Sequence, residues 1–144
     1  MLVSEVLDMK GRRVVTIDSE ATVQEAVAKL VQNNVGSLPV VDEHGRLQGI
    51  FSERDVLRLM HHHGEGFGRT RLAAVMTCNP ATCRVDDSVE QIMGLMSERR
   101  IAKVPIVEDD ALVGVVSVGD VVKVMYEKVS TENHHLLSYI QGGL

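Results

Sequence analysis

Apolar positions along this chain switch between two periods, and the switches mark its elements. Val14-Val15-Thr16-Ile17 is a β-branched run suited to an extended segment. Val23, Ala26, Val27, Leu30 and Val31 then recur at helical spacing. Thr22 and Glu25 ahead of them form a capping box, in which side chains satisfy the amides a helix start leaves open. Asn33, Asn34 and Gly36 end that helix. Leu38 to Val41 is a continuous apolar run, predicted to be a buried strand. Asp42-Glu43-His44-Gly45 is a turn, Leu47 to Phe51 a second strand, and Ser52 opens a second helix.

The same order then returns. Ser88-x-x-Gln91 is a second capping box, followed by the stripe Val89, Ile92, Met93 and Met96. Val104 to Val107 and Leu112 to Val116 are the second strand pair, and a helix from about Val118 continues past Tyr126, breaks, and resumes through Leu136–Ile140. Thr16, Val23, Pro39 and Val41 recur 66 residues on, while Leu47, Gly49, Ser52, Asp55 and Val56 recur 65 on, because the second hairpin turn is one residue shorter. Leu72–Met76 mirrors Val3–Leu7 as a lead-in segment. Such a repeat fixes the architecture. The predicted class is α/β (α+β): two β-α-β-β-α repeats, each a small sheet flanked by helices. The repeats are expected at 1–63 and 72–128, with a flexible glycine-rich connector at 64–71 and a helical extension at 129–144. Each half, at about 65 residues, would bury only a marginal core alone.

Composition narrows the picture. The hydrophobic fraction is 44% with two Tyr, two Phe and no Trp, so the core must be aliphatic. A net charge of −5 argues against a nucleic-acid partner, which needs a basic surface. No segment has the length and apolarity of a membrane span, and the opening M-L-V-S-E-V lacks a signal-peptide pattern, so a cytoplasmic location and no membrane partner are expected. Cys78 and Cys83 alone make a poor zinc signature, and His61-His62-His63 lies in a glycine-rich stretch where a frayed helix end is the simpler reading; no metal is expected. No catalytic constellation stands out, so the chain is not expected to be an enzyme.

The strand-to-helix motif Gly-x-x-Ser-x-x-Asp occurs twice, as Gly49-Ile50-Phe51-Ser52-Glu53-Arg54-Asp55 and Gly114-Val115-Val116-Ser117-Val118-Gly119-Asp120. Each copy follows a capping box and the run Leu38-Pro39-Val40-Val41 or Val104-Pro105-Ile106-Val107. On these motifs nearly the whole chain resembles a tandem pair of cystathionine-β-synthase (CBS) domains, a Bateman module. The resemblance implies two repeats about a pseudo-twofold axis, two clefts between them, and a regulatory adenosine-containing ligand: AMP, ADP or ATP, with NAD(H) and S-adenosyl compounds in the same class. No other cofactor is required. Ser52 and Ser117 would donate to phosphate at a helix N-terminus, where open amides and the dipole favour anions, and Asp55 and Asp120 would accept ribose hydroxyls. A plain N-cap reads identically. The adenine is expected against Thr16, Ile17, Leu38 and Pro39, and against Thr82, Cys83, Val104 and Pro105. Arg54 is set against Gly119 in the second copy and would make the first site prefer phosphate; Lys103 would add charge to the second.

Met93, Met96 and Met125 are expected in the core. Val56, Leu57, Leu59 and Met60, with Val121, Val122, Val124 and Met125, exceed what one two-layer sheet needs, so a homodimer is expected. A regulated protein partner is also expected, which the sequence does not identify. The alternative is an assembly module with empty, degenerate clefts.

Overall fold

A computed structural model describes residues 1–141, so the last three residues of the expected 129–144 extension lie outside the described part. In the first half, α1 (Val3–Lys10) leads to β1 (Ile17–Asp18), α2 (Val23–Asn33), β2 (Ser37–Val41), β3 (Leu47–Ser52) and α3 (Glu53–His63). The second half runs α4 (Leu72–Val75), β4 (Thr77–Cys78), α5 (Val89–Arg99), β5 (Lys103–Glu108), β6 (Ala111–Ser117) and α6 (Val118–Gln141). Both predicted capping boxes form: Thr22 Oγ1 accepts from the Glu25 amide at 3.2 Å and Ser88 Oγ from the Gln91 amide at 3.1 Å. Asn34 and Arg100 end α2 and α5 with φ of 52° and 55°, a left-handed conformation that asparagine tolerates better than arginine.

Strands β1 to β4 form one sheet in that order, with β1 parallel to β2 and the other pairs antiparallel; β5 and β6 form a two-stranded antiparallel sheet. The hairpins share a register irregularity, at Val40/Val41 and at Ile106/Val107. Their tips join, because the Leu47 amide donates to the Asp110 carbonyl and the Leu112 amide to the Gly45 carbonyl. The connector is less loose than its glycines suggest. Residues Phe67–Arg69 form a 3-10 turn, and Phe67 packs against the first-half core. Helix α6 is continuous where the sequence suggested an interruption after Tyr126.

The cores show an exchange. One cluster gathers Val23, Leu30, Leu38, Val40 and Phe51 of the first half with Leu72 of α4. The other gathers Ile92, Val104, Ile106, Val116 and Val121 of the second half with Val3, Val6 and Leu7 of α1. Each lead-in helix thus completes the core of the opposite half. The backbone follows the same rule: the Val3 amide donates to the Asp87 carbonyl as the Leu72 amide donates to the Ala21 carbonyl. This explains the repeated glycine. A Cβ on Gly114 would stand 2.7 Å from Leu7 Cδ2, and one on Gly49 would stand 2.6 Å from the Thr77 carbonyl oxygen and 2.8 Å from Met76 Sδ. The lead-ins cross the sheets so closely that a side chain at either glycine would force its neighbour to move.

Candidate functional site

Each Gly-x-x-Ser-x-x-Asp motif places its serine on the last residue of a strand and its aspartate in the first helical turn. Both pairs close as reciprocal caps. The Ser52 amide donates to Asp55 Oδ2 at 2.8 Å, and Ser52 Oγ accepts from the Asp55 amide at 3.4 Å. In the second half the Ser117 amide donates to Asp120 Oδ2 at 2.8 Å, and the Asp120 amide to Ser117 Oγ at 3.0 Å. The Glu53 and Val118 amides are taken by the carbonyls of Gly36 and Ala102. That leaves the amides of Arg54 and Gly119 as first-turn donors without a protein partner among the described residues.

The capping bonds converge on one carboxylate oxygen. Every hydrogen bond to Asp120 among the described residues goes to Oδ2, so Oδ1 keeps its lone pairs. Asp55 is similar: Ser52 supplies both its amide and its hydroxyl to Oδ2, and Arg58 stands 3.7 Å from Oδ1. One group can therefore cap a helix and still accept from a ligand.

Two clefts flank these carboxylates, and both are built from both halves. The Asp120 cleft has a volume of about 300 Å³; its walls include Ser37 and Pro39 of β2 facing Pro105 of β5 and Ser117. The Asp55 cleft measures about 350 Å³ and joins Ser52 and Asp55 to Asn79, Pro80, Arg99 and Ile101. Ile50 and Lys103 line both. These volumes fall at the small end of the range for small-molecule sites, about 300–1,000 Å³.

The expected site residues distribute unevenly. Ser52 and Asp55 reach one cleft, Ser117 and Asp120 the other, and Lys103 both. Pro39 and Pro105 meet in the Asp120 cleft, so the contacts cross between halves rather than staying with their own serine. Ile17, Leu38, Cys83 and Val104 are core side chains and line neither cleft. For Cys83, burial, followed by the nearby Asp87, pushes the thiol pKa up to about 11. Thr16 is half-buried outside both clefts, and Thr82 lines a separate shallow hollow with Arg46 and Gln48. Arg54 is exposed and lines neither cleft. Helical spacing explains this: Asp55 faces inward at 8% exposure, and the residue before it is turned about 100° away.

The two clefts differ in charge at Lys10. Lys10, at the end of α1, donates to the Val115 carbonyl at 2.6 Å and to Asp120 Oδ2 at 2.5 Å. Burial, the largest influence on Asp120, raises its pKa, but the Lys10 and Ser117 hydrogen bonds outweigh it and hold the carboxyl below its ordinary value. Arg13 lines the same cleft. Sequence reading missed both residues, although a signal was present. Leu72 stands 69 residues after Val3, while Thr82 stands 66 after Thr16, so the first half carries three extra residues between lead-in and strand. These are Gly11-Arg12-Arg13. Asn79 stands where Lys10 would be in the other cleft.

Comparison with known proteins agrees with this architecture. The CBS domain model matches residues 3–62 and 72–127. The chain is 34% identical over 149 residues to the mitochondrial CBS domain-containing protein CBSX3 of Arabidopsis thaliana, covering 98% of this chain and 72% of that protein. It is 35% identical over 117 residues to the CBS domain-containing protein YhcV of Bacillus subtilis, covering 81% of this chain and 82% of that one. Among solved structures, the CBS-domain containing protein ATU1752 from Agrobacterium tumefaciens matches with a TM-score of 0.79 at 34% identity, over 87% of this chain and 99% of that one. The CBS domain pair of protein MJ0100, solved in complex with 5′-methylthioadenosine and S-adenosyl-L-methionine, matches with a TM-score of 0.75 at 29% identity, over 89% and 98%. With two family matches laid over two repeats that exchange their lead-in helices around paired clefts, the chain belongs to the CBS domain family, as a tandem CBS pair.

Proposed function

We propose that this chain is a regulatory module that senses adenosine-containing small molecules in the two clefts between its repeats. The ligand class is AMP, ADP or ATP, with NAD(H) and S-adenosyl compounds also within it. The observation that carries the reading is the pair of clefts, each holding a helix start whose aspartate takes its capping bonds on one oxygen and, among the described residues, no hydrogen bond on the other. A carboxylate oxygen at that place can accept ribose hydroxyls, and the first-turn amide beside it can meet phosphate. The walls supply apolar surface for a base from Pro39, Ile50, Pro105 and Val115. The MJ0100 pair, solved with two adenosine compounds, supports the class of ligand. Titration calorimetry with AMP and ATP tests the proposal. Asp55→Ala and Asp120→Ala should each weaken one site by about 1–3 kcal/mol, the scale for an unpaired polar partner. Equal affinity for ribose and 2′,3′-dideoxyribose forms would remove the carboxylates from ligand binding.

A homodimer is part of the proposal, because Leu57, Met60, Val122 and Met125 are exposed on α3 and α6. The sequence placed Met125 in the core; it is 49% exposed, whereas Met96 is buried. The assembly reading draws on the same surface and would stand alone if no adenosine compound bound. Light scattering at micromolar concentration should give twice the chain mass; a monomer would leave those stripes unexplained.

A further inference from the structure

We infer that the Asp120 cleft selects adenosine ligands bearing a 5′-phosphate over uncharged ones, because Lys10 is a latch that must pass from Asp120 to an incoming anion. The inference rests on the adenosine reading above and adds which ligand each cleft takes.

Lys10 Nζ is held by Asp120 Oδ2 and the Val115 carbonyl, with side-chain exposures of 29% for Lys10 and 24% for Asp120. A ribose can place both of its hydroxyls on one carboxylate: the first takes the open Oδ1 of Asp120, and the second competes with this ammonium for Oδ2. If Lys10 yields, a partly buried cation loses its charged partner, and such a loss is unfavourable unless another anion replaces it. A 5′-phosphate is that replacement. Arg13 and Lys103 line the same cleft and add to the attraction, Arg13 through a planar fork suited to phosphate oxygens. A 5′-thioether nucleoside brings no anion and must break the latch uncompensated. A sulfonium nucleoside places a cation among cations. In the Asp55 cleft the position of Lys10 belongs to Asn79, which forms no such latch among the described residues, and the Gly11-Arg12-Arg13 stretch has no counterpart in the sequence. That cleft keeps Arg99 and Lys103 and should distinguish charged from uncharged ligands far less.

Calorimetry on the full chain with AMP and 5′-methylthioadenosine, at low salt, tests this. In the Asp55→Ala variant, which isolates the Asp120 cleft, AMP should bind at least about tenfold more tightly than the thioether, since about 1.4 kcal/mol of charge-assisted bonding suffices. Adding Lys10→Met should bring the two within about threefold by weakening AMP and strengthening the thioether. Arg13→Gln should weaken AMP alone. Asn79→Lys in the Asp120→Ala variant should create a preference for AMP in the other cleft. Raising the salt should shrink the preference wherever it exists. Comparable affinities for both ligands in the Asp55→Ala variant, or a ratio that Lys10→Met leaves untouched, would overturn the latch while leaving adenosine binding intact. No binding of either ligand to the unmodified chain would overturn the adenosine reading and the latch together.

Discussion

Helices α1 and α4 hold equivalent places in the repeat but end differently. Both begin with the same bridge to the opposite half, Leu2 with Ser88 and Arg71 with Thr22. Helix α4 stops after four residues, and the chain straightens into β4, which pairs Cys78 with Gly49 and Thr77 with Ile50. Thr77 disfavours helix through its β-branch, and Pro80 biases Asn79 away from the helical region. Helix α1 has neither obstacle and continues for eight residues. The first sheet therefore gains a fourth strand, while the second stays two-stranded and has a lysine at its edge. One local difference in helix length thus separates two clefts that otherwise share a serine, an aspartate and a strand-to-helix turn. Duplication gives a repeat protein equivalent scaffolds, and the connecting segments decide how far its sites diverge.

The exchange of lead-ins can be broken at its centre. Leu7 and Leu72 are fully buried, each in the core of the half it does not precede. Leu7→Ala should cost about 2–5 kcal/mol in denaturant unfolding, the range for emptying a leucine site. In hydrogen exchange it should deprotect β5 and β6 first, and Leu72→Ala should deprotect β2 and β3. Loss confined to the half encoded alongside each mutation would contradict the exchange.

A smaller effect distinguishes the two close approaches. Gly49→Ala meets the Thr77 carbonyl, a backbone atom fixed by a strand pair, whereas Gly114→Ala meets the end of the Leu7 side chain. Overpacking of this kind costs about 1–3 kcal/mol. Gly49→Ala should lie nearer the upper limit and Gly114→Ala nearer the lower, since a leucine can adjust its rotamer. Chemical denaturation of the two variants side by side gives the order, and the reverse order would mean that Leu7 is the more rigid wall.

The smallest effect is the pH dependence carried by the Lys10–Asp120 pair. Asp120 titrates below its ordinary value in the folded chain. A carboxyl lowered in this way adds stability that is complete above its unfolded pKa, about 3.9, and is lost as pH falls through the folded value. Lys10→Met should therefore lower stability at pH 7 and leave it nearly unchanged once Asp120 is protonated in both proteins. Unfolding midpoints at neutral and acid pH measure the difference. A constant gap across that range would place the effect of Lys10 in packing rather than in the ion pair.

The sequence by itself determined the repeat, the element order, both capping boxes and the four strands of the two hairpins. Each of these depends on residues close together in the chain, where periodicity and capping chemistry are legible. It also singled out Ser52, Asp55, Ser117 and Asp120, because a strand entering a helix through Ser-x-x-Asp is a local pattern. It did not separate lining from core among Ile17, Leu38, Cys83 and Val104, since an apolar residue on a two-faced strand looks the same on either face. Tertiary structure alone decided that α1 serves the second half and α4 the first, because an amphipathic helix records that it packs but not against what. It alone brought Pro39 to Pro105 and Lys10 to Asp120 across the whole length of the repeat. Long-range contact depends on how two halves dock, and that geometry is written in no single segment.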